Sequence, residues 1–232
     1  MNTIAQRLAQ IRARITQAEQ RYQRPPGSVK LLAVSKTRPL AELQNLNNLG
    51  QSSFAENYLQ DALPKIAKLN SAIVWHFIGP LQSNKTRPVA EHFHWLHTLE
   101  RLKIARRLND QRPTDLPPLN VCIQVNISAD PNKSGLAADA TEDLAHELAA
   151  LPHLRLRGLM TLPRRHNDFE QQRQPFRELH ELYIRLCQQG FELDTLSMGM
   201  TDDLEAAIAE GSTLVRIGTG LFGPRKSSQE TL

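Results

Sequence analysis

The chain has 232 residues, 40% of them hydrophobic and 22% charged, an ordinary balance for a globular protein. Such a chain buries a sizeable core, which excludes disorder for most of its length, and with no run of ~18 apolar residues it has no transmembrane helix. The net charge of +4 comes from bases spread over many segments, Arg12, Arg14, Arg101, Arg106, Arg155 and Arg164 among them; scattered cations without exposed aromatics describe a solvated surface and not a nucleic-acid face.

The first segment carries no apolar stretch of the secretion-signal kind. Ile4, Leu8, Ile11 and Ile15 recur at helical spacing, Thr3 and Gln6 stand at capping-box spacing, and Pro25-Pro26-Gly27 stops the element, so a surface helix is expected within residues 1–24. A different rhythm follows. Short runs rich in strand formers at 29–36, 52–57, 73–79, 93–99, 119–126, 154–162, 193–200 and 213–220, eight in all, alternate with helical stretches at 40–49, 59–69, 84–92, 101–110, 137–151, 169–189 and 202–210. Several runs are apolar on both faces, as in Leu119–Val125, which is the pattern of a parallel sheet covered by helices. The repeated strand–helix unit predicts a single (β/α)8 barrel with an extra N-terminal helix. An open doubly wound sheet is the alternative, but the turn after the first strand, Thr37-Arg38-Pro39, lacks the glycines of a dinucleotide fold. No linker divides the chain, so residues 1–232 are expected to form one domain, with 225–232 a polar, frayed tail. Cys122 and Cys187 lie far apart within apolar stretches and are expected as buried free thiols of a reducing, cytoplasmic protein.

In such a barrel the chemistry sits where strands end. Lys36 closes the first strand on the same face as Leu32 and Val34. Burial disfavours a charged amine, and a neutral amine condenses with aldehydes. The last two strands close with Ser197-Met198-Gly199-Met200-Thr201 and Ile217-Gly218-Thr219-Gly220. These small hydroxyls and glycine turns occupy the two positions at which barrels of this class hold phosphate. The next helix is expected to be capped by Thr201 or Asp202 and stopped by Gly211. Arg216 lies inside an apolar strand, where an arginine requires a carboxylate or a ligand acceptor. An aldehyde trap, a phosphate cradle and a buried cation at one barrel mouth point to pyridoxal 5′-phosphate.

Six stretches carry a resemblance: Leu32–Thr37, Phe54–Tyr58, Trp75–Lys85 with its His-Phe-Ile-Gly core, Gly158–Met160, Ser197–Asp203 and Arg216–Thr219. Together they resemble the pyridoxal phosphate homeostasis protein family from the first helix to about Gly223, with Ala55 in place of a usual glycine and Gly220 in place of a usual alanine. The resemblance implies a barrel like the N-terminal domain of alanine racemase and a Schiff base on Lys36. It places Arg216 against the pyridine nitrogen, Ser197, Thr201, Gly218 and Thr219 around the phosphate, and Asn57 near the ring. An arginine only donates, so the ring nitrogen would stay unprotonated and the ring a weak electron sink. The racemase also draws a base from a second domain that this chain has no room for. The expectation is therefore a carrier or regulator in vitamin B6 homeostasis, monomeric and in transient contact with apo-enzymes. The alternative is a racemase-like enzyme using the same cofactor.

Three further features stand outside that site. His92, His94 and His97 cluster, with the first two on one strand face, but lack the partners of a metal centre. His76 is expected to pack inside the third strand. Lys85 and Lys133 follow predicted strands, where each is either surface charge or a transient holder of the aldehyde.

Overall fold

The computed structural model describes residues 3–69 and 72–224; the tail expected over 225–232 lies outside them. The chain opens with α1 (Ile4–Arg21), whose capping box is complete: the Thr3 hydroxyl accepts from the Gln6 N–H and the Gln6 side chain accepts from the Thr3 N–H. There follow β1 (Lys30–Val34), α2 (Leu40–Asn48), β2 (Ser53–Glu56), α3 (Leu59–Lys68), β3 (Val74–Phe77), a 3-10 turn (Ser83–Lys85), α4 (Thr86–His92), β4 (Trp95–Leu99), α5 (Leu102–Gln111) and β5 (Leu119–Gln124). The second half continues with α6 (Thr141–Ala149), β6 (Leu154–Met160), α7 (Phe169–Gln188), β7 (Thr195–Ser197), α8 (Leu204–Ala209), β8 (Leu214–Ile217) and α9 (Thr219–Phe222).

The eight strands close in chain order into a parallel barrel, β1 pairing with both β2 and β8. The expected (β/α)8 barrel and its added N-terminal helix are therefore what the chain forms. Side chains alternate across the strands as the pleat requires. Ala33, Phe54, Leu96, Val121 and Val215 join the large apolar layer beneath the helices, whereas Leu32, Val34, Ala55 and Leu214 form a small separate cluster with Ile78.

Several expected boundaries move by a few residues, three of them for an identifiable local reason. The last strand stops at Ile217 and not at Gly220, because the Gly218 carbonyl accepts from the N–H groups of Leu221 and Phe222 and starts α9. The helix after the seventh strand is capped by Asp203, not by Thr201 or Asp202; its carboxylate accepts the Met200 N–H and closes a turn across 200–203. The sixth helix begins at Thr141 and not at Ala137, since Leu136 is still bridged to Val125 in an extended segment.

Candidate functional site

A cavity of about 410 Å³ opens at the C-terminal end of the barrel, and six of the seven residues expected from sequence line it: Lys36, Asn57, Thr201, Arg216, Gly218 and Thr219. Elements distant in sequence supply them, the ends of β1, β2, β7 and β8.

Lys36 is half-buried and directly follows the inner-facing pair Leu32 and Val34. The turn behind it is held from the outer side. The Ser35 hydroxyl donates to Glu56 Oε1 (2.6 Å), and Lys65 Nζ donates to the same oxygen (2.7 Å) and to the Ser35 carbonyl (3.0 Å). Burial raises the Glu56 carboxyl above its ordinary value although both hydrogen bonds and the Lys65 charge pull it down. Thr37, next in the chain, has φ 62°. A β-branched residue there is strained, and strain of this kind concentrates at functional sites.

Asn57 reaches the cavity because Gly79 lets the ends of β2 and β3 meet: a Cβ on Gly79 would lie 2.0 Å from the Asn57 carbonyl oxygen. The Asn57 Oδ1 atom is buried without a hydrogen-bond partner, and a buried orphan costs free energy until a ligand satisfies it.

Across the cavity, Thr201 Oγ1 accepts from the Gly220 N–H (3.3 Å), joining the two closing turns. Gly199 makes the first of these turns at φ +97°, where a Cβ would strike Ala207 at 2.6 Å. From outside, Arg14 of α1 donates to the Thr201 carbonyl (2.9 Å) and grips Glu205 of α8 with two bonds of 2.7 and 2.8 Å.

Arg216 is 4% exposed. Its Nη1 donates to the Ser197 carbonyl and hydroxyl and its Nη2 to the Thr161 carbonyl. All three acceptors are neutral, and no ion pair reaches Arg216 among the described residues. Burial lowers its pKa to about 10, with the Asp203 charge opposing that. The group therefore remains a cation at neutral pH, and three bonds leave two of its five N–H donors for a ligand.

Ser197 is the one expected site residue that the structure sets elsewhere. It is fully buried beneath the cavity, with its hydroxyl engaged by Arg216 and His97. Sequence reasoning passed over several liners: Met160, Met200, Arg165, Asp202 and Asp203. Of these, Asp202 and Asp203 directly follow an expected phosphate residue and were legible by position.

The histidine cluster disperses. His92 ends α4 and His94 precedes β4, so they share no strand face; the His94 Nδ1 accepts the Trp75 N–H, and His97 alone turns into the barrel. Among the described residues no group of three or more His, Cys, Asp or Glu is placed to hold a metal ion. Cys122 is buried and burial pushes its thiol up to about 12, while Cys187 is only half-buried. Lys85 is exposed on the 3-10 turn. Lys133 lines an adjoining cavity of about 350 Å³ that shares Asn57, Ile78 and Leu162 with the first. Its Nζ donates to the Leu162 carbonyl (2.8 Å), and partial burial lowers its pKa.

The family model of the alanine racemase N-terminal domain matches residues 6–226. A Pseudomonas aeruginosa relative named pyridoxal phosphate homeostasis protein is 54% identical over 226 residues, 97% of this chain and 97% of its own. The chain belongs to the pyridoxal phosphate homeostasis protein family. Among solved structures, PipY of Synechococcus elongatus PCC7942, solved with PLP bound, is similar at TM-score 0.82 and 34% identity, covering 95% of this chain and 100% of that one. The alanine racemase of Corynebacterium glutamicum shares the fold at TM-score 0.69 and 17% identity, over 92% of this chain and 60% of the racemase. The membership expected from the six motif stretches is thereby established.

Proposed function

We propose that this chain binds pyridoxal 5′-phosphate covalently on Lys36 and serves its cellular homeostasis as a carrier or regulator. The observation that carries the reading is the single cavity joining an amine, Lys36, to a buried cation, Arg216, and to the hydroxyl- and glycine-bearing turns at Thr201 and Gly218–Thr219. Lys36 would hold the aldehyde through its Nζ. The Thr201 and Thr219 hydroxyls and the backbone at Gly218 would hold the phosphate. The spare donors of Arg216 would serve the ring nitrogen, and the orphaned Asn57 Oδ1 would accept a hydrogen bond from the ligand.

The bound cofactor supplies an electron sink for amino-acid chemistry. The residues around it restrain that chemistry. Arg216 cannot hand a proton to the ring nitrogen as a carboxylic acid would. Tyr58, the only tyrosine at a strand end, is 52% exposed and no tyrosine lines the cavity. Asp203 spends an oxygen on the Met200 N–H. Proton transfer on both faces of a substrate needs two positioned groups, and this cavity is poorly furnished with them. A cytoplasmic, monomeric carrier that meets apo-enzymes transiently completes the proposal. Lys133, beside the adjoining cavity, is better placed than Lys85 to hold the aldehyde in passing.

A visible spectrum of the purified protein, followed by borohydride reduction and peptide mapping, tests this. The expected result is a yellow protein with the pyridoxyl mass on the Lys36 peptide, and a Lys36→Ala variant whose residual trapping, if any, falls on Lys133. A protein that stays colourless after addition of pyridoxal phosphate overturns the reading. Racemisation of any amino acid at about 1 s⁻¹ or faster, an ordinary enzyme turnover, overturns the carrier half of it.

A further inference from the structure

Beneath the cavity the barrel interior holds a chain of hydrogen bonds that cofactor binding does not use directly. Arg216 Nη1 donates to Ser197 Oγ (2.9 Å), Ser197 Oγ lies 2.8 Å from His97 Nδ1, and His97 Nε2 lies 2.9 Å from His76 Nδ1. All four side chains are buried, Ser197 and His97 completely. The His76 ring stacks on Trp95 at 5.4 Å and 13°.

The direction of every proton in this chain follows from one fact: a guanidinium donates and never accepts. Ser197 Oγ therefore accepts from Arg216, and its own proton goes to its other side-chain neighbour, His97 Nδ1. With Nδ1 accepting, a neutral His97 carries its proton on Nε2 and donates to His76 Nδ1, which leaves the His76 proton on Nε2. The opposite arrangement would give Ser197 two donors and leave its hydroxyl proton buried without a partner, a cost of about 1–3 kcal/mol. Both imidazoles are neutral for the same reason of burial: His97 is pushed down to about 3 and His76 well below the ordinary histidine value.

We propose that His97 is a positioning residue for Arg216, acting through Ser197, with His76 as its own anchor. By taking the hydroxyl proton of Ser197, His97 turns the oxygen lone pair of Ser197 toward the guanidinium. Because every acceptor in the chain is uncharged, Arg216 is held in place without an ion pair, and none of its hydrogen-bond partners cancels the charge it brings to the cavity. A carboxylate in the place of Ser197 would fix the arginine equally well and cancel that charge. The inference rests on the proposed cofactor site for what Arg216 faces, but the proton arrangement belongs to the protein alone.

Two measurements test it. In the cofactor-free protein, nitrogen-15 NMR of the imidazoles is expected to show both His97 and His76 neutral with the proton on Nε2; a proton on His97 Nδ1 overturns the proposal. In the loaded protein, Ser197→Ala is expected to weaken pyridoxal phosphate binding about tenfold, the worth of one charge-assisted hydrogen bond, and to shift the visible absorption maximum. Ser197→Thr keeps the hydroxyl and is expected to stay within about twofold of the parent. His97→Phe is expected to match Ser197→Ala, and the double variant to lose no more than either alone, since both act along one path. Additive losses, or an unchanged spectrum in Ser197→Ala, overturn the proposal; should His97→Phe not fold, the two Ser197 variants decide it. A wild-type chain that takes up no cofactor while its tautomers are as stated would sink the cofactor reading and leave the proton arrangement standing.

Discussion

On the outer side of the sheet, Ala33, Phe54, Leu96, Val121 and Val215 enter one continuous apolar layer with Phe176, Leu179, Leu182 and Leu186 of α7 and with residues of the other helices. On the inner side the strands carry a much smaller apolar cluster, Leu32, Val34, Ala55 and Leu214, faced by His76, His97, Ser197 and Arg216. Burial is equally deep on both sides. The outer layer is held by apolar burial, which is non-directional and tolerant of detail. The inner wall is held by hydrogen bonds whose donors and acceptors must match one for one. Stability resides chiefly in the first and ligand chemistry in the second.

Substitutions on the two sides should separate these properties. The largest effect is expected from Phe176→Ala, a fully buried outer-layer residue. It should cost about 3–5 kcal/mol in urea unfolding while the folded fraction keeps its cofactor; loss of cofactor at unchanged stability would break the comparison.

Acid comes next. His97 has a folded pKa near 3 against an ordinary 6.5, so the unfolded chain binds the extra proton between those values. Its contribution to stability is complete above pH 6.5 and drains away as pH falls toward 3, with a slope of up to about 1.4 kcal/mol per pH unit. His76 acts in the same direction. Unfolding midpoints between pH 4 and 7 should fall with acid in the parent and fall less steeply in His97→Asn.

Glu56 should give a smaller slope of the opposite sign. Its folded pKa is raised above 4.5, so the folded state holds the proton longer and stability declines as pH climbs from 4.5 through the folded value. Glu56→Gln should remove that decline, so its midpoint should gain on the parent's as pH climbs through this range; parallel parent and variant curves would contradict it. The smallest change is expected at the exposed edge of the fold. Thr3→Ala removes one cap hydrogen bond from α1 and should cost about 1 kcal/mol with no change in the cofactor spectrum.

Much of the architecture was legible because strand–helix alternation is a one-dimensional signal. The capping box at Thr3 and Gln6 and the eight strand runs could be read from spacing alone. Boundaries failed where a side chain or backbone group far along the chain intervened, as where Asp203 takes the Met200 N–H or Leu136 bridges to Val125. In the site, Lys36, Thr201 and Gly218 were found because position at a strand end is itself the clue. Ser197 was expected at the phosphate because its small hydroxyl belongs to the stretch closing the seventh strand and the family resemblance implies that role. The pleat instead turns it into the barrel, where it meets His97, a hundred residues away along the chain.

The amino-acid sequence by itself determined the barrel, its family and the strand ends where chemistry collects, because periodicity, capping and local motif are properties of neighbouring residues. Only the tertiary structure decided which polar groups share a hydrogen bond. Arg216 faces neutral oxygens, Glu56 shares its burial with Lys65 and Ser35, and His97 is a link in a buried chain of hydrogen bonds. A hydrogen bond is decided over about 3 Å, and closure of the barrel, not proximity along the chain, sets those distances.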